Sequence, residues 1–228
     1  MLPEALLLDL DGTLVDSEAF HTESIVRFLA RHGVDLDGGE RAFVVGHAWQ
    51  EIYEHLRVRE RLGISLAQLQ RGSVDEKPQM IADGHGMRVL PGARDLVAWA
   101  RDRQIPVAIV SGSSREEIGH ALELLQFEDS LEFYMGAEDV ERGKPDPEGY
   151  AAAAARLGVT PARCLVFEDS EAGIASGKAA GMVVVATSAV NLPAGQAGHQ
   201  DQSGADVQLA GLDGIEEIDI ERWMGPSE

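Results

Sequence analysis

Short apolar runs that stop at polar residues most limit what this chain can fold into. Leu6–Leu10 is one, broken only by Asp9; Val107–Val110 (VAIV), Leu165–Phe167 (LVF) and Val183–Ala186 (VVVA) are the others. Such dense apolar runs suit strands covered on both faces of a parallel sheet. Each closes on small or polar residues: DLDGT, SGSS, EDS and TSA. Between them lie ARDLVAWARDR, EEIGHALELL and PEGYAAAAARLG, with apolar residues at helical spacing. Strands alternating with helices predict βαβ units, and so an α/β fold with a doubly wound parallel sheet. In such sheets ligands gather at the carboxyl ends of the strands, where the polar closures fall.

One stretch breaks the alternation. Residues 17–88 hold no strand-like run, but IVRFLARHG, AWQEIYEHLRVRERLG and SLAQLQRG read as amphipathic helices. The expected organisation is therefore a core of residues 1–16 and 89–228 with a helical domain, 17–88, inserted after the first strand. Pro91-Gly92 marks the start of a returning helix. Thr187 to Asp206, rich in Gly, Ala, Gln and Ser, is expected to be an exposed loop. Val207–Leu209 is expected as an edge strand ahead of a last helix.

Composition narrows the class. With 228 residues, 44% hydrophobic and 25% charged, the chain suits a soluble globular protein. A single cysteine, Cys164, cannot close an internal disulfide, which suits a reducing cytosol. No apolar run approaches the length of about 20 residues that spans a bilayer, and no basic leader precedes an apolar segment. A cytoplasmic location without membrane contact is expected. The 19 Lys+Arg against 39 Asp+Glu give −20, which argues against nucleic acid. Any anion site must be local, built from a metal, a few cations and backbone N–H groups.

The first run ends in two acids, Asp9 and Asp11. Residues i and i+2 of a strand share a side, so both carboxylates can face one cavity. Two carboxylates there repel unless a cation or a proton relieves them. One can then attack as a nucleophile while the other handles protons. Alternatively, Asp11-Gly12 is simply a turn.

The motifs decide between these. DLDGTLVDS, the Ser closing VAIVSGSS, the Lys of RGKPDPEGY and the acidic pair of LVFEDSEAGIASGKAAGM stand in the order and at the strand ends found in the haloacid dehalogenase superfamily. The chain resembles its phosphatase-type members, and the helical insert falls where that family places a cap. The resemblance implies a Mg²⁺-dependent phosphatase acting on a small phosphorylated metabolite. Asp9 would be the nucleophile that forms an aspartyl-phosphate, and Asp11 the acid and base. Ser111 and its neighbours Gly112 and Ser113 would bind the phosphoryl oxygens, and Lys144 would offset their charge. Mg²⁺ would be held by Asp9, Asp11 through its backbone carbonyl, and Asp169, with Glu168 binding or orienting. Thr13 would orient the loop, and His21 and Trp49 of the insert would face the substrate.

Asp11 argues against the dehalogenase and phosphonate-cleaving members, which lack it. GKPDPEGY, EDSEAGI and His21 resemble the subgroup of β-phosphoglucomutase and the sugar-phosphate phosphatases. A phosphosugar mutase is the alternative, but VVGHAWQEI carries Trp49 where a mutase is expected to hold the far phosphate with Arg. A non-catalytic regulatory relative is a further alternative, although every catalytic position is filled. The natural substrate is not readable, and a monomer is the expectation.

Overall fold

Leu6, Leu7 and Leu8 have no exposed surface and lie in the first strand, β1 (Ala5–Leu8). The computed structural model describes residues 1–47, 49–127, 130–196 and 198–225. After β1 come β2 (Val15–Asp16) and then α1 (Glu18–Arg31), α2 (Gly38–Val44), α3 (Trp49–His55), α4 (Val58–Leu62) and α5 (Leu66–Ala82). β3 (Arg88–Val89) pairs with β2 in a separate two-stranded ribbon. Strands and helices then alternate: α6 (Ala93–Asp102), β4 (Val107–Val110), α7 (Arg115–Leu125), β5 (Phe133–Met135), α8 (Glu148–Leu157), β6 (Cys164–Glu168), α9 (Glu171–Ala179), β7 (Val183–Thr187), β8 (Val207–Leu209) and α10 (Glu217–Met224).

Two compact units result. One comprises Met1–Asp16, Val89–Asn191 and Gln200–Glu228; the other comprises Ser17–Arg88 and Leu192–His199. The first holds a parallel sheet in the order β5-β4-β1-β6-β7-β8. This is the doubly wound α/β core expected from the apolar runs. Leu8 is in register with Ile109 on one side and Phe167 on the other, so β1, β4 and β6 end at one level. The chain runs outward from β1 through β4 to β5, then returns to β1's other flank with β6. The strand order therefore reverses at β1, which is where such sheets bind ligands. The two edges are β5 and β8. β8 matches the expected edge strand, whereas β5, a three-residue run led by two aromatics, is not among the expected strands.

The helical unit follows from its amphipathic pattern. Ile25 and Leu29 of α1, Val44 of α2, Ile52 of α3 and Leu69 of α5 are buried together in its core. Asp37 and Ser65 cap α2 and α5, each in a reciprocal bond pair with the residue at N3. The segment AWQEIYEHLRVRERLG is not one continuous helix: Arg57 turns left-handed at φ 52°, separating α3 from α4. The segment expected as an exposed loop, Thr187 to Asp206, is irregular and mostly exposed among its described residues, apart from Thr187 at the end of β7 and a few local ties. Leu192–His199 belongs to the helical unit, and Gln202 is only 7% exposed because its amide answers backbone carbonyls of the core. Among the described residues no helix is long and apolar enough to cross a membrane.

Leu7 is fully buried in a cluster with Ala108, Tyr150, Ala153 and Val166. Leu7→Ala should lower the unfolding free energy by about 2–5 kcal/mol, measured by urea titration.

Candidate active site

The position of β1 between β4 and β6 brings three strand ends together. Asp9 follows β1 and extends the ladder, its N–H donating to the Phe167 carbonyl at 3.0 Å. Ser111 follows β4 and donates to the Met135 carbonyl at 3.0 Å. Glu168 is the last residue of β6, and Asp169 comes next. Three of the four polar closures read from the sequence thus meet at one edge of the sheet.

Lys144 joins them. Its ammonium donates to Asp9 Oδ1 and to Glu168 Oε1, both at 2.6 Å. The loop that carries Lys144 is anchored by Glu148, whose carboxylate accepts from the backbone N–H of Glu141 at 2.8 Å and of Arg142 at 3.2 Å. Glu168 has no exposed surface, yet both of its oxygens are answered. Oε1 also accepts from the Tyr150 hydroxyl at 3.1 Å. Oε2 accepts from the N–H groups of Asp169 (2.9 Å) and Ser170 (3.0 Å) and from Ser170 Oγ (3.0 Å). A buried carboxylate is tolerable only when its charge and lone pairs are matched in this way. Two glycines make the space. A Cβ at Gly173 would fall within the Glu168 carboxylate, and one at Gly12 within that of Asp169. Gly12 also takes a φ of +80° that a side chain would disfavour.

Asp11 occupies a second pole. Its Oδ2 accepts from Ser113 Oγ at 2.6 Å and from Ser111 Oγ at 3.3 Å. Ser111 Oγ in turn accepts from the Ser113 N–H at 2.9 Å, closing the SGS turn around Gly112. Thr13 is fully buried, and among the described residues its hydroxyl has no hydrogen-bond partner. His21 and Trp49 lie in the helical unit, where their rings meet edge to face at 4.9 Å.

Burial first, and the crowding of charges second, raises the proton affinities of the carboxyls. Burial pushes the Asp9 carboxyl well above the usual range; Lys144 opposes this, while Glu168, Asp169 and Asp11 add to it. Asp169 is pushed up to about 8, first by burial and then by the charge of Glu168. Lys144 remains firmly protonated. Burial works against its charge, but Asp9, Tyr150 and Glu168 more than offset that. An oxygen from each of Asp9, Glu168 and Asp169 falls within 4.8 Å of the others, an all-carboxylate cluster with cation-binding geometry.

A profile of the haloacid dehalogenase-like hydrolases matches residues 3–181. The chain belongs to this family. Validoxylamine A 7'-phosphate phosphatase of Streptomyces hygroscopicus subsp. limoneus is 34% identical over 78% of this chain and 83% of its own length. Hexitol phosphatase A of Escherichia coli K12 is 34% identical over 84% of each. CbbY from Rhodobacter sphaeroides, solved in complex with phosphate, shares the fold with a TM-score of 0.71 at 24% identity, covering 92% of this chain and 95% of that one. This haloacid dehalogenase-like hydrolase is an enzyme, a phosphoric monoester hydrolase.

Two residues of the hydrolase's site escaped the sequence reading. Tyr150 lay inside a helical pattern, where an aromatic reads as core. Gln202 lay in the segment taken for an exposed loop, although its Nε2 donates to the carbonyls of Asp169 (2.6 Å) and Thr187 (2.8 Å). The position of Tyr150 just after the lysine, on the first turn of α8, was the one available signal.

The raised carboxyls of Asp9 and Asp169 make the metal-free fold sensitive to pH. A folded pKa above the unfolded value of about 3.9 means the native state holds protons the unfolded chain releases. That stabilisation is complete below the unfolded value and is lost as pH rises through about 8 for Asp169. In chelator, the melting temperature should fall between about pH 5 and pH 8, and Asp169→Asn should flatten the decline. An unchanged slope in the variant would remove Asp169 as its source.

Proposed function

We propose that this chain is a Mg²⁺-dependent phosphatase of a small phosphorylated metabolite, a sugar phosphate or close analogue, working as a cytoplasmic monomer through an aspartyl-phosphate on Asp9. One observation carries this reading. A buried aspartate held at one oxygen by Lys144 stands two residues from a second aspartate whose carboxylate is fixed by Ser111 and Ser113. Attack of the Asp9 carboxylate on phosphorus forms an O–P bond and breaks the bond to the alcohol, which leaves with a proton from Asp11. Asp11 then takes a proton from water as the water oxygen displaces Asp9 and orthophosphate departs. The covalent intermediate divides one difficult displacement into two easier ones. Ser111, Ser113 and the Gly112 backbone hydrogen-bond the phosphoryl oxygens, and the Lys144 ammonium offsets their charge.

The donor set suits a hard divalent cation, since all its groups are oxygens and their charge exceeds that of Lys144. The Asp9 and Asp169 carboxylates and the Asp11 carbonyl would hold Mg²⁺. Glu168 would orient, because Lys144, Tyr150, Ser170 and the Asp169 N–H already engage its oxygens. Bound there, Mg²⁺ would add positive charge beside the phosphoryl group.

The phosphatases among its relatives, one named for hexitols and one for validoxylamine A 7'-phosphate, support a polyhydroxylated phosphate ester as substrate. The helical unit is inserted where this family places a cap, and His21 and Trp49 are its candidate substrate-facing residues. Against a mutase, VVGHAWQEI carries neither Lys nor Arg to grip a second phosphate.

With Mg²⁺, the protein should release phosphate from an aryl phosphate and, faster, from one member of a panel of phosphorylated sugars and alditols. Asp9→Asn should reduce turnover below about 1% of wild type, a loss of roughly 3 kcal/mol in transition-state stabilisation. A higher residual rate would remove Asp9 as nucleophile, and no release from any ester would overturn the phosphatase reading.

A further inference from the structure

We propose that Tyr150 is a positioning residue of the reaction: its hydroxyl shares Glu168 Oε1 with Lys144 and so keeps the ammonium centred between Glu168 and Asp9. This rests on the phosphatase reading above.

Tyr150 has no exposed surface and packs in the sheet's apolar cluster with Leu7, Ala108 and Val166. Phenylalanine would fill the same volume without desolvating a hydroxyl, so the hydroxyl needs a reason to be there. Its bond is to Glu168 Oε1 at 3.1 Å, the oxygen that Lys144 approaches at 2.6 Å. The same ammonium lies 5.1 Å from the Tyr150 ring centroid, within cation–π reach. Ring and hydroxyl therefore address one cation, directly and through its acceptor. With the phenol present, Oε1 divides its lone pairs between a neutral donor and a charged one. Without it, the buried carboxylate is left with Lys144 alone on that oxygen and draws the ammonium toward itself, away from Asp9 Oδ1. Tyr150 and Lys144 belong to one short segment anchored by Glu148, so the geometry is carried by a single piece of chain.

Tyr150→Phe isolates the hydroxyl, since the ring remains. The chain has three lysines, so the ammonium ¹⁵N signal of Lys144 can be assigned with Lys77→Arg and Lys178→Arg. In Tyr150→Phe that signal should shift. With an aryl phosphate and Mg²⁺, kcat should fall about tenfold while KM stays within about twofold. In a Lys144→Ala background, Tyr150→Phe should add no further loss, whereas a purely structural role would give the same factor in both backgrounds. If Tyr150→Phe does not fold, 3-fluorotyrosine incorporation, which strengthens the phenol as a donor, should move the Lys144 signal instead. An unmoved Lys144 signal, an unchanged kcat, or equal losses in both backgrounds would overturn the proposal. Absence of turnover by the wild type would fail the phosphatase reading, and the Lys144 signal would still decide on Tyr150.

Discussion

A single ammonium, that of Lys144, holds the charge balance of the sheet edge. Asp9 and Glu168 are 6% and 0% exposed, and their negative charges could not sit side by side in so dry a place without it. Such a pairing is a weak source of stability, because desolvating three charged groups absorbs most of the Coulombic gain. Its value is geometric. It fixes one oxygen of Asp9, one of Glu168 and the loop leading into α8 relative to each other. What remains uncompensated, burial first and the charge of neighbouring carboxylates second, is felt as raised proton affinity at Asp9 and Asp169.

The sheet makes that arrangement possible. β1 supplies Asp9, β4 leads into the serine turn and β6 ends in Glu168, and their registers differ by no more than the ladder requires. The flanking helices then decide where the partners stand. α8 sets Tyr150 and, through Glu148, the lysine loop. α9 begins with a capping serine whose hydroxyl also donates to Glu168. The two glycines that clear room for the carboxylates, Gly12 and Gly173, show how closely backbone and side-chain charge are packed here.

Much of this was legible from residues. The strand ends could be read because parallel strands buried on both faces leave dense apolar runs, and the acids closing them stand out by contrast. The edge strand β5 could not, since it pairs on one side only, its Phe133 and Tyr134 are half-buried, and FYM holds none of the Val, Ile or Leu that mark the inner strands. The break at Arg57 was hidden because a left-handed non-glycine residue leaves no mark in an amphipathic pattern. Gln202 was hidden for a different reason. A segment's composition reports its average exposure, whereas one amide bridging two carbonyls is a local requirement of backbone satisfaction. Tyr150 illustrates the limit most clearly: its ring obeys the core pattern, and its hydroxyl answers to a residue on another strand.

The separation of the central pair along the chain has a bearing on synthesis. Asp9 and Lys144 are 135 residues apart, and all five helices of the helical unit lie between them. A polypeptide leaving the ribosome exposes its N-terminal end first, at roughly 5–20 residues per second. The acidic strand end must therefore wait several seconds or more for its counter-charge, longer still for the flanking strand that ends in Glu168. Until β4 emerges, β1 is an apolar strand with neither neighbour in place. The five helices that emerge meanwhile have their own buried cluster and can fold by local contacts, which are the fast ones to form. Nascent chains would thus carry five packed helices tethered to an unpaired strand, a state in which chaperone binding has an obvious target.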